Sequence, residues 1–479
     1  MMISFLAALT SCSVGPDYVC PCIEVPSGWK NGVSCDGAPE AEGWVYLDDW
    51  WQVFDDEVLD RLENWALENN RELYSAYQRI EEARALMGVA KADLYPQLTL
   101  NPLFTNTGEL IQNYNALPPI LGSIPRFFRA HELLYFFPLN LSYEVDLWGK
   151  IRDQYNSAKY NWLASREDYD AVMLSLTSAL ATAYYQLRVT DLQSDLLLET
   201  LKNRQKALEI NTDRYEGEIT FYSDVTLAAE EVDLVTAQYD EVRRQRDLLE
   251  DQIAVLIGVP ASEFCLEHLP LQGLPPCIPE GIPSEALLRR PDIARAEFYT
   301  RSQHALVKEA YAQFFPSLTL TGVLGFESPI FKDFMKWISR YWAFGEQINQ
   351  LLFDGFRTSS NLELQVAKFQ ETSGDYQQQV LVAFQEVEDA LANLASYAKQ
   401  YDSVLGATNW SEKSYQLYLD RYHAGVTYYI DVVNTERDFL NNEISLSSVE
   451  GYRYLSTIQL IKALGGGWSF PEDACALTE

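Results

Sequence analysis

The stretch Arg421–Val432, RYHAGVTYYIDV, decides how this chain is organised, because Arg214–Val225, RYEGEITFYSDV, is its near copy. The two stretches lie 207 positions apart (421 − 214 = 207) and share Arg, Tyr, Thr, Tyr, Asp and Val at matching positions. The same offset places Gly258 on Gly465, and each glycine closes an apolar run. Self-similarity at so long a period indicates a tandem duplication.

Composition limits the classes of function. The chain has 479 residues and a formal net charge of −33, from 36 basic and 69 acidic side chains. Such a surface repels nucleic acid and anionic lipid headgroups. Hydrophobic residues still make up 47% of the chain, too many for a disordered acidic protein. No apolar run reaches the ~20 residues of a transmembrane helix, so membrane insertion would have to use strands.

The first residues predict an export signal. Ile3–Leu9 is a short apolar run, and Leu9–Cys12, LTSC, is a lipobox, the site at which bacterial lipoproteins are cleaved and acylated. We expect Cys12 to carry lipid; an unprocessed apolar N-terminus is the alternative. Ser13 does not resemble the aspartate of an inner-membrane retention signal, which favours the outer membrane.

Six further cysteines indicate possible disulfides in an exported chain. Cys265 and Cys277 flank a proline-rich turn between the two repeats, and we predict a bridge between them; packing of two small residues is the alternative. The Cys and His spacings fit no zinc site, and no nucleophile–base motif is present. The sequence therefore predicts no enzyme activity, no metal site and no cofactor.

Two long proline-free runs predict long helices. No proline lies between Pro138 and Pro260, or between Pro329 and Pro471. As continuous helix, Trp148 to Arg214 would span ~100 Å, which suits a coiled-coil hairpin whose turn is Arg214–Val225. The second run repeats the plan, with helices over Gly355–Arg421 and Asp431–Leu464. Shorter helices are expected over Leu59–Asp93 and Ser284–Gln313. A bundle core is the alternative for the leucine stripes, and the helix lengths argue against it.

Alternating segments predict two strand pairs at matching places in the two repeats. Leu139–Leu147 alternates apolar and polar residues over the length of a tilted membrane strand, and its partner begins at Gln97. The second pair is expected over Ser317–Phe326 and Tyr341–Phe353, with Leu103–Leu134 and Glu327–Arg340 as connecting loops. A half-buried soluble sheet shows the same alternation. Four strands cannot close in lipid, so membrane insertion would require oligomerisation, and three copies would give twelve strands.

Several motifs between Cys12 and Trp468 together resemble one family: Cys12–Tyr18, Trp51–Leu59, Ala83–Ala85, Tyr95–Pro96, DLWGK at Asp146–Lys150, RRPDI at Arg289–Ile293 and ALGGGW at Ala463–Trp468. They resemble the TolC family of outer membrane factors, in particular its OprM-like and NodT-like lipoprotein branch. The resemblance implies a mixed, mainly α protomer, internally duplicated. Each protomer would give four strands to a shared trimeric, twelve-stranded outer-membrane β-barrel and long coiled-coil helices to a periplasmic α-barrel.

The resemblance also implies a function. Such proteins are lipid-anchored exit ducts of efflux pumps or type I secretion systems, opened at the periplasmic tip. The partners are a homotrimer, a periplasmic adaptor and an inner-membrane transporter. A structural or adhesive envelope lipoprotein on the same scaffold is the alternative. Ile430, Asp431 and Asn434 match the family's constriction positions, although Asn434 stands where aspartate is frequent.

Charge at the two turns completes the predicted site. Asp224 occupies the position of Asp431 in the first repeat, so a trimer would hold two rings of three carboxylates. Arg214 and Arg421 are the nearest candidates in sequence to offset that charge. A simpler role for Asp431 is a first-turn aspartate that caps its helix, and the two roles are compatible.

The expected organisation follows from these landmarks: signal peptide 1–11, lipidated tether 12–46, first repeat 47–258, linker 259–283, second repeat 284–468 and C-terminal tail 469–479. The first repeat holds a β-hairpin at about 97–147 and a helical tip at about 214–225. The second holds a β-hairpin at about 317–353 and a tip at about 421–432.

Overall fold

The structure, a computed structural model, describes residues 13–21, 23–31, 49–112, 127–276, 278 and 290–466. The chain divides into two compact units. A sheet unit comprises Met1–Val19, Glu82–Trp162 and Phe298–Thr372, and a helical unit comprises Cys20–Glu81, Leu163–Glu297 and Ser373–Glu479.

Long helices dominate the described chain. The helices are α1 (Glu57–Asn69), α2 (Arg71–Ala92), α3 (Lys150–Glu216), α4 (Tyr222–Leu256), α5 (Pro291–Ala312), α6 (Arg357–His423) and α7 (Tyr429–Ala463). α3 and α6 each have 67 residues, and α4 and α7 each have 35. The proline-free runs therefore do form continuous helices, as their sequences predict. Among the described residues, no helix is apolar enough over sufficient length to cross a membrane.

The predicted helix Leu59–Asp93 is wrong in one respect, because it is two helices separated at Asn70. Asn70 has extended backbone angles, φ −64° and ψ 128°. Its Nδ2 donates to the Leu256 carbonyl at 2.8 Å, and its Oδ1 accepts from the Leu73 N–H at 2.9 Å. An asparagine that bonds to backbone groups in this way competes with the helix and starts a new one.

One antiparallel sheet forms the centre of the sheet unit. Its strands are β1 (Gln97–Leu100), β2 (Leu103–Gln112), β3 (Phe127–Val145), β4 (Ser317–Ser328) and β5 (Arg340–Asn349). The order is β1-β3-β4-β5, and β2 pairs with the first half of β3. β1 and β2 therefore both pair with β3, at different positions along that strand. The register places Leu98 opposite Leu141 and Gly322 opposite Phe344. Leu98 is 65% and Phe344 74% exposed, so the described residues of one protomer leave these apolar side chains of the sheet uncovered.

The predicted loop Leu103–Leu134 is wrong, because much of it is strand. β2 pairs with β3 from Leu103 opposite Phe136 to Gln112 opposite Phe127. The Phe104 and Tyr135 rings pack across the ladder with their centroids 4.8 Å apart. Aromatic cross-strand pairs stabilise a sheet, so the hairpin extends past the aromatic residues.

The motif Asp146–Lys150 connects β3 to α3. Asp146 accepts from the N–H groups of Ile151 and Arg152 at 3.2 and 3.1 Å, which caps the first turn of α3. The Trp148 ring stacks on Phe315 at 4.8 Å, and its Nε1 donates to the Pro316 carbonyl at 2.8 Å. The start of α3 is therefore tied to the chain that enters β4.

A continuous apolar core lies within the helical unit. Trp50 is buried there, and its Nε1 donates to Thr177 Oγ1 at 3.1 Å. Tyr185 stacks on Tyr454 with ring centroids 4.5 Å apart. α1, α3, α4 and α7 all contribute fully buried residues, among them Leu59, Leu180, Ile253 and Leu460. This core holds the bases of both helical hairpins.

Candidate functional site

The two quoted stretches form the same turn twice. Each turn follows a 67-residue helix and precedes a 35-residue helix. The Ile219 N–H donates to the Arg214 carbonyl at 2.8 Å, and the Val426 N–H donates to the Arg421 carbonyl at 2.9 Å. Glycine occupies the left-handed position of the second turn, Gly425 (φ 74°), whereas the first turn places Glu218 there at φ 58°. The shared residues therefore specify a backbone geometry.

Asp224 and Asp431 act locally as helix-start residues. Thr220 Oγ1 donates to the Asp224 carboxylate. Thr427 Oγ1 donates to Asp431 Oδ2 at 2.5 Å, and the Tyr428 N–H reaches the same oxygen at 3.4 Å. Both aspartates lie in the first turn of their helices, where the helix dipole favours negative charge. The structure thus supports the capping role that the sequence left open for Asp431, whereas the Asp224 carboxylate accepts from Thr220.

Two of the three predicted constriction residues, Ile430 and Asn434, lie on the same exposed face of α7. Ile430 is 41% exposed and Asn434 is exposed, one turn apart on α7. Asp431 is half-buried. Tyr429 and Val433 are buried against Ala228 on an adjacent face of the helix, about 100° away. Ile430 and Asn434 therefore point away from the protomer's own packing, as a lining role requires.

The two arginines have aromatic partners within the chain. Arg214 Nη1 donates to the Tyr422 hydroxyl at 2.9 Å, and its guanidinium lies 5.1 Å from that ring's centre. Arg421 lies 5.5 Å from the ring centre of Tyr418. No ion pair joins either arginine to Asp224 or Asp431 within the described chain. The predicted charge offset therefore remains a prediction for the assembled trimer.

Tyr422 connects α3 with α6, which the sequence did not predict. Its hydroxyl also donates to Asn211 Oδ1 at 3.1 Å. Burial raises the pKa of Tyr422, although the neighbouring Arg214 opposes the shift. The hydroxyl stays protonated at neutral pH and serves as acceptor and donor at once.

A group of four charges, two of them fully buried, was also missed by the sequence reasoning. It joins Arg204 on α3, Glu231 on α4, and Glu436 and Arg437 on α7. Arg204 and Glu231 are 1% and 2% exposed. Neither residue belongs to the repeated turn. Their separation in the chain gives no local signal that could have indicated the contact.

Other predicted features stay open. Cys12 and Cys277 lie outside the described residues, so lipidation and the Cys265–Cys277 bridge remain predictions; Cys265 itself is exposed. Across the described ranges, no three His, Cys, Asp or Glu side chains are placed to hold a metal ion.

Known proteins share this architecture over most of the length of the chain. The sequence profile of the outer membrane efflux protein family matches residues 62–259 and 282–466. This chain belongs to that family.

Two curated relatives are the toluene efflux pump outer membrane protein TtgI of Pseudomonas putida and the cation efflux system protein CusC of Escherichia coli. TtgI is 29% identical over 98% of both chains. CusC is 29% identical over 96% of this chain and 97% of its own. The Campylobacter jejuni CmeC outer membrane channel has the same fold, with a TM-score of 0.84 and 26% identity over 96% of each chain.

The class of protein follows from these matches. The chain is a protomer of a homotrimeric outer-membrane channel that extends into the periplasm, and it is the exit duct of a tripartite efflux system. It works with a periplasmic adaptor and an inner-membrane pump. Channels of this family are not enzymes.

Proposed function

We propose that this duct is a passive channel without catalytic activity, held closed at its periplasmic tip by the two repeated turns and opened by the adaptor and the pump. The exposure of Ile430 and Asn434, which lie one turn apart on α7, carries this proposal. In a trimer, three copies of this face narrow one passage. Asp431 and Asp224 then add two rings of three carboxylates beside it.

Acidic rings favour positively charged or neutral cargo. Rings of acidic side chains attract cations and repel anions. A carboxylate about 8 Å from an ion in water contributes about 0.5 kcal/mol, so one ring of three changes cation entry roughly tenfold before salt screening. The names of TtgI and CusC refer to toluene and to cations, neither of which is anionic. Anionic cargo is therefore disfavoured for this chain.

We expect the double variant Asp224→Asn/Asp431→Asn to lose most of the cation preference of the channel. Asparagine keeps a side-chain oxygen that can cap the helix, so the variant removes charge and leaves the turn intact. The measurement is the reversal potential of reconstituted trimers across a salt gradient in planar bilayers, which should move towards zero.

Matched variants separate charge from capping. The pair Glu68→Gln/Glu72→Gln removes the same charge at exposed sites on α1 and α2 and should leave the reversal potential unchanged. The pair Asp224→Ala/Asp431→Ala should change selectivity and also cost about 1 kcal/mol through loss of the cap at Asp431. If the Asp224→Asn/Asp431→Asn channel keeps the cation selectivity of the wild type, these aspartates serve only as caps.

We also infer that a bridge between Cys265 and Cys277 closes a loop within the chain between the repeats. The intervening segment is already held: the Leu269 N–H donates to Asp191 Oδ2 at 3.0 Å, and the Tyr454 hydroxyl donates to the Gln272 carbonyl at 3.1 Å. We expect Cys265→Ser to lower stability by roughly 3 kcal/mol in the oxidised protein, on the loop-entropy account. Alkylation of both thiols in oxidised, denatured protein would contradict the bridge.

A further inference from the structure

The turn between β4 and β5 forms a compact surface that is both apolar and basic. It is the stretch Ile330–Tyr341, IFKDFMKWISRY, hereafter the rim segment. Two short 3₁₀ segments, Phe331–Asp333 and Trp337–Ser339, shape it. The Ser339 hydroxyl donates to the Asp333 carbonyl at 2.8 Å and so ties the second of these segments to the first.

Two phenylalanines pack the rim segment onto one face of the sheet. The ring centroids of Phe331 and Tyr135 lie 5.4 Å apart, and those of Phe334 and Phe137 lie 6.3 Å apart. Tyr135 and Phe137 are two positions apart on β3, so they share a face of the sheet. Leu139 follows on that face and is exposed. The rim segment therefore continues an exposed apolar face of the sheet.

The rim segment lies at the end of the sheet away from the helices. β3 ends at Val145 shortly before α3, β4 begins at Ser317 shortly after α5, and β5 ends at Asn349 shortly before α6. The turn between β4 and β5 is at the other end of these strands. Because the helices of this channel extend into the periplasm, the rim segment lies at the outer surface of the membrane.

The charge of the rim segment is opposite in sign to that of the whole chain. The chain has a formal net charge of −33. The rim segment contains one acid, Asp333, and three exposed basic residues, Lys332, Lys336 and Arg340. A further acid at the end of β4, Glu327, pairs with Phe136 of β3 and so lies on the opposite face of the sheet. The face that the rim segment covers is therefore locally positive.

The first strand residues after the turn place a cation above exposed aromatic side chains. Arg340 begins β5 and pairs with Phe326, which pairs in turn with Phe137 on the apolar face. Trp342 and Phe344 follow Arg340 at steps of two residues, on the same face, and both are exposed. From its outer end inwards, β5 thus presents a guanidinium and then two aromatic rings.

The tip of the rim segment combines the same two kinds of side chain. Trp337 and Ile338 are 75% and 88% exposed. The Arg340 guanidinium lies 4.6 Å from the centre of the Trp337 ring, and Lys336 Nζ lies 2.5 Å from Asp333 Oδ1. Tryptophan and long basic side chains suit the membrane–water interface, because each has an apolar body and a polar end. Basic amphipathic segments bind anionic lipids in particular.

We propose that the rim segment binds a phosphorylated lipid of the outer leaflet, one for each protomer. Its phosphate contacts Lys332, Lys336 and Arg340, and its acyl chains lie along the apolar face. A free phosphate would gain nothing from the exposed Trp337 and Ile338, so the surface fits an amphiphile. The bound lipid fixes the depth of the outer end of the channel in the membrane. This inference does not depend on how the periplasmic tip closes.

Native mass spectrometry of detergent-purified trimers tests the site, because one spectrum reports both the trimer and the lipids that it retains. The probes are lipid A, a phosphorylated glycolipid, and phosphatidylcholine, whose phosphate is neutralised by choline. We expect one lipid A per protomer, bound roughly tenfold more tightly than phosphatidylcholine. Equal affinity for the two lipids overturns the proposal.

Removing the three cations should weaken the binding of lipid A. One basic residue near an anionic lipid surface strengthens binding about fivefold, so Lys332→Gln/Lys336→Gln/Arg340→Gln should lose roughly tenfold or more in affinity. Lys332→Gln alone should lose about fivefold, and it decides the matter if the triple variant does not assemble. A variant of the rim segment that assembles and binds lipid A as tightly as wild type contradicts the assigned contacts.

A matched control removes the same charge elsewhere. Lys91→Gln/Arg244→Gln/Lys413→Gln replaces three exposed cations on α2, α4 and α6 and should leave the affinity for lipid A unchanged. An equal loss in this control would show that only the total charge of the chain matters, which overturns a site at the rim segment.

Two further measurements distinguish a lipid from a free anion. Trp337→Ser/Ile338→Ser keeps all three cations and should weaken lipid A binding roughly tenfold, because the acyl chains lose apolar contact. Inorganic phosphate in large excess should not displace lipid A from the wild-type trimer. Displacement by phosphate, or full affinity in the serine variant, would indicate a site for free anions and overturn the assignment of a lipid.

Discussion

Replacing Arg290 with methionine is expected to destabilise the helical unit by about 3–5 kcal/mol, the cost of breaking a buried ion pair on one side. The Arg290 side chain is 7% exposed. Its Nη2 lies 2.6 Å from Asp292 Oδ2, and its Nη1 lies 2.6 Å from Glu386 Oε2. Nη1 also donates to the Ala463 carbonyl at 3.1 Å, in the last turn of α7. One guanidinium thus holds the start of α5, the middle of α6 and the end of α7.

The expected loss of stability is large because Arg290→Met removes the cation beside the carboxyl of Asp292. Burial alone raises the pKa of Asp292, but hydrogen bonds and charge from Arg290 outweigh burial and hold it below the usual range. Without Arg290 this acid is buried with one fewer cation. Thermal unfolding of the detergent-solubilised trimer, followed by helical circular dichroism, measures the effect.

Two controls accompany Arg290→Met. Arg290→Lys should retain part of the stability, since lysine keeps the charge and loses the forked geometry. Arg79→Met breaks a more exposed pair with Asp168 at 3.3 Å and should cost less than about 1 kcal/mol. An Arg290→Met protein as stable as Arg79→Met would contradict the assigned role.

Replacing Glu63 with glutamine is expected to stabilise the protein at neutral pH and to have no effect in acid. Glu63 is fully buried on α1, and neither carboxylate oxygen has a hydrogen-bond partner among the described residues. Burial raises its pKa well above the usual value of 4.5, and the charge of Asp60 raises it further. The folded protein therefore keeps Glu63 protonated at a pH where the unfolded chain has released the proton.

The stability of the wild-type protein should fall as the pH rises above 4.5. Below pH 4.5 the carboxyl is neutral in both states, so it costs no charge burial. Above that value the unfolded state ionises first, and stability falls by about 1.4 kcal/mol per pH unit until the folded carboxyl ionises too. The gap in stability between Glu63→Gln and wild type should therefore be wider at pH 7 than at pH 4.5.

Glu68→Gln provides the control, because Glu68 lies exposed on the same helix. Its effect should be small and flat with pH. The measurement is the denaturant midpoint of the three proteins from pH 4 to pH 8. A gap between Glu63→Gln and wild type that does not widen with pH would contradict a protonated, unpartnered Glu63.

Much of the fold was predictable because its signals are local. Freedom from proline over more than one hundred residues specifies α3 and α6, and the turn residues Thr220 and Thr427 recur with their aspartates. Alternation specified β4 and the second half of β3. In each case the residues that lie on one face are close in sequence, so the sequence pattern predicts how they are arranged.

The rest depends on contacts between distant residues. Arg204 and Glu436 meet across two hairpins, and nothing near either residue indicates a buried charge. Arg214 was predicted to offset the charge of Asp224 and Asp431, whereas in the structure it contacts Tyr422 on another helix. Asn70 interrupts α1 and α2 because its side chain bonds to Leu256, far along the chain. Sequence periodicity does not report such partners.

The sheet order has a consequence for the kinetics of assembly. Within the described part of the chain, β5 forms one edge of the sheet and β1 with β2 forms the other, so two rows of backbone amides and carbonyls have no strand partner there. Unpaired edges are templates for any passing strand. Only neighbouring chains can cover both, which makes the rate of maturation depend on chain concentration. When the protein is produced slowly, each new chain therefore exposes its sheet edges for longer. During that time, strands of other proteins compete with the correct neighbouring chains for those edges.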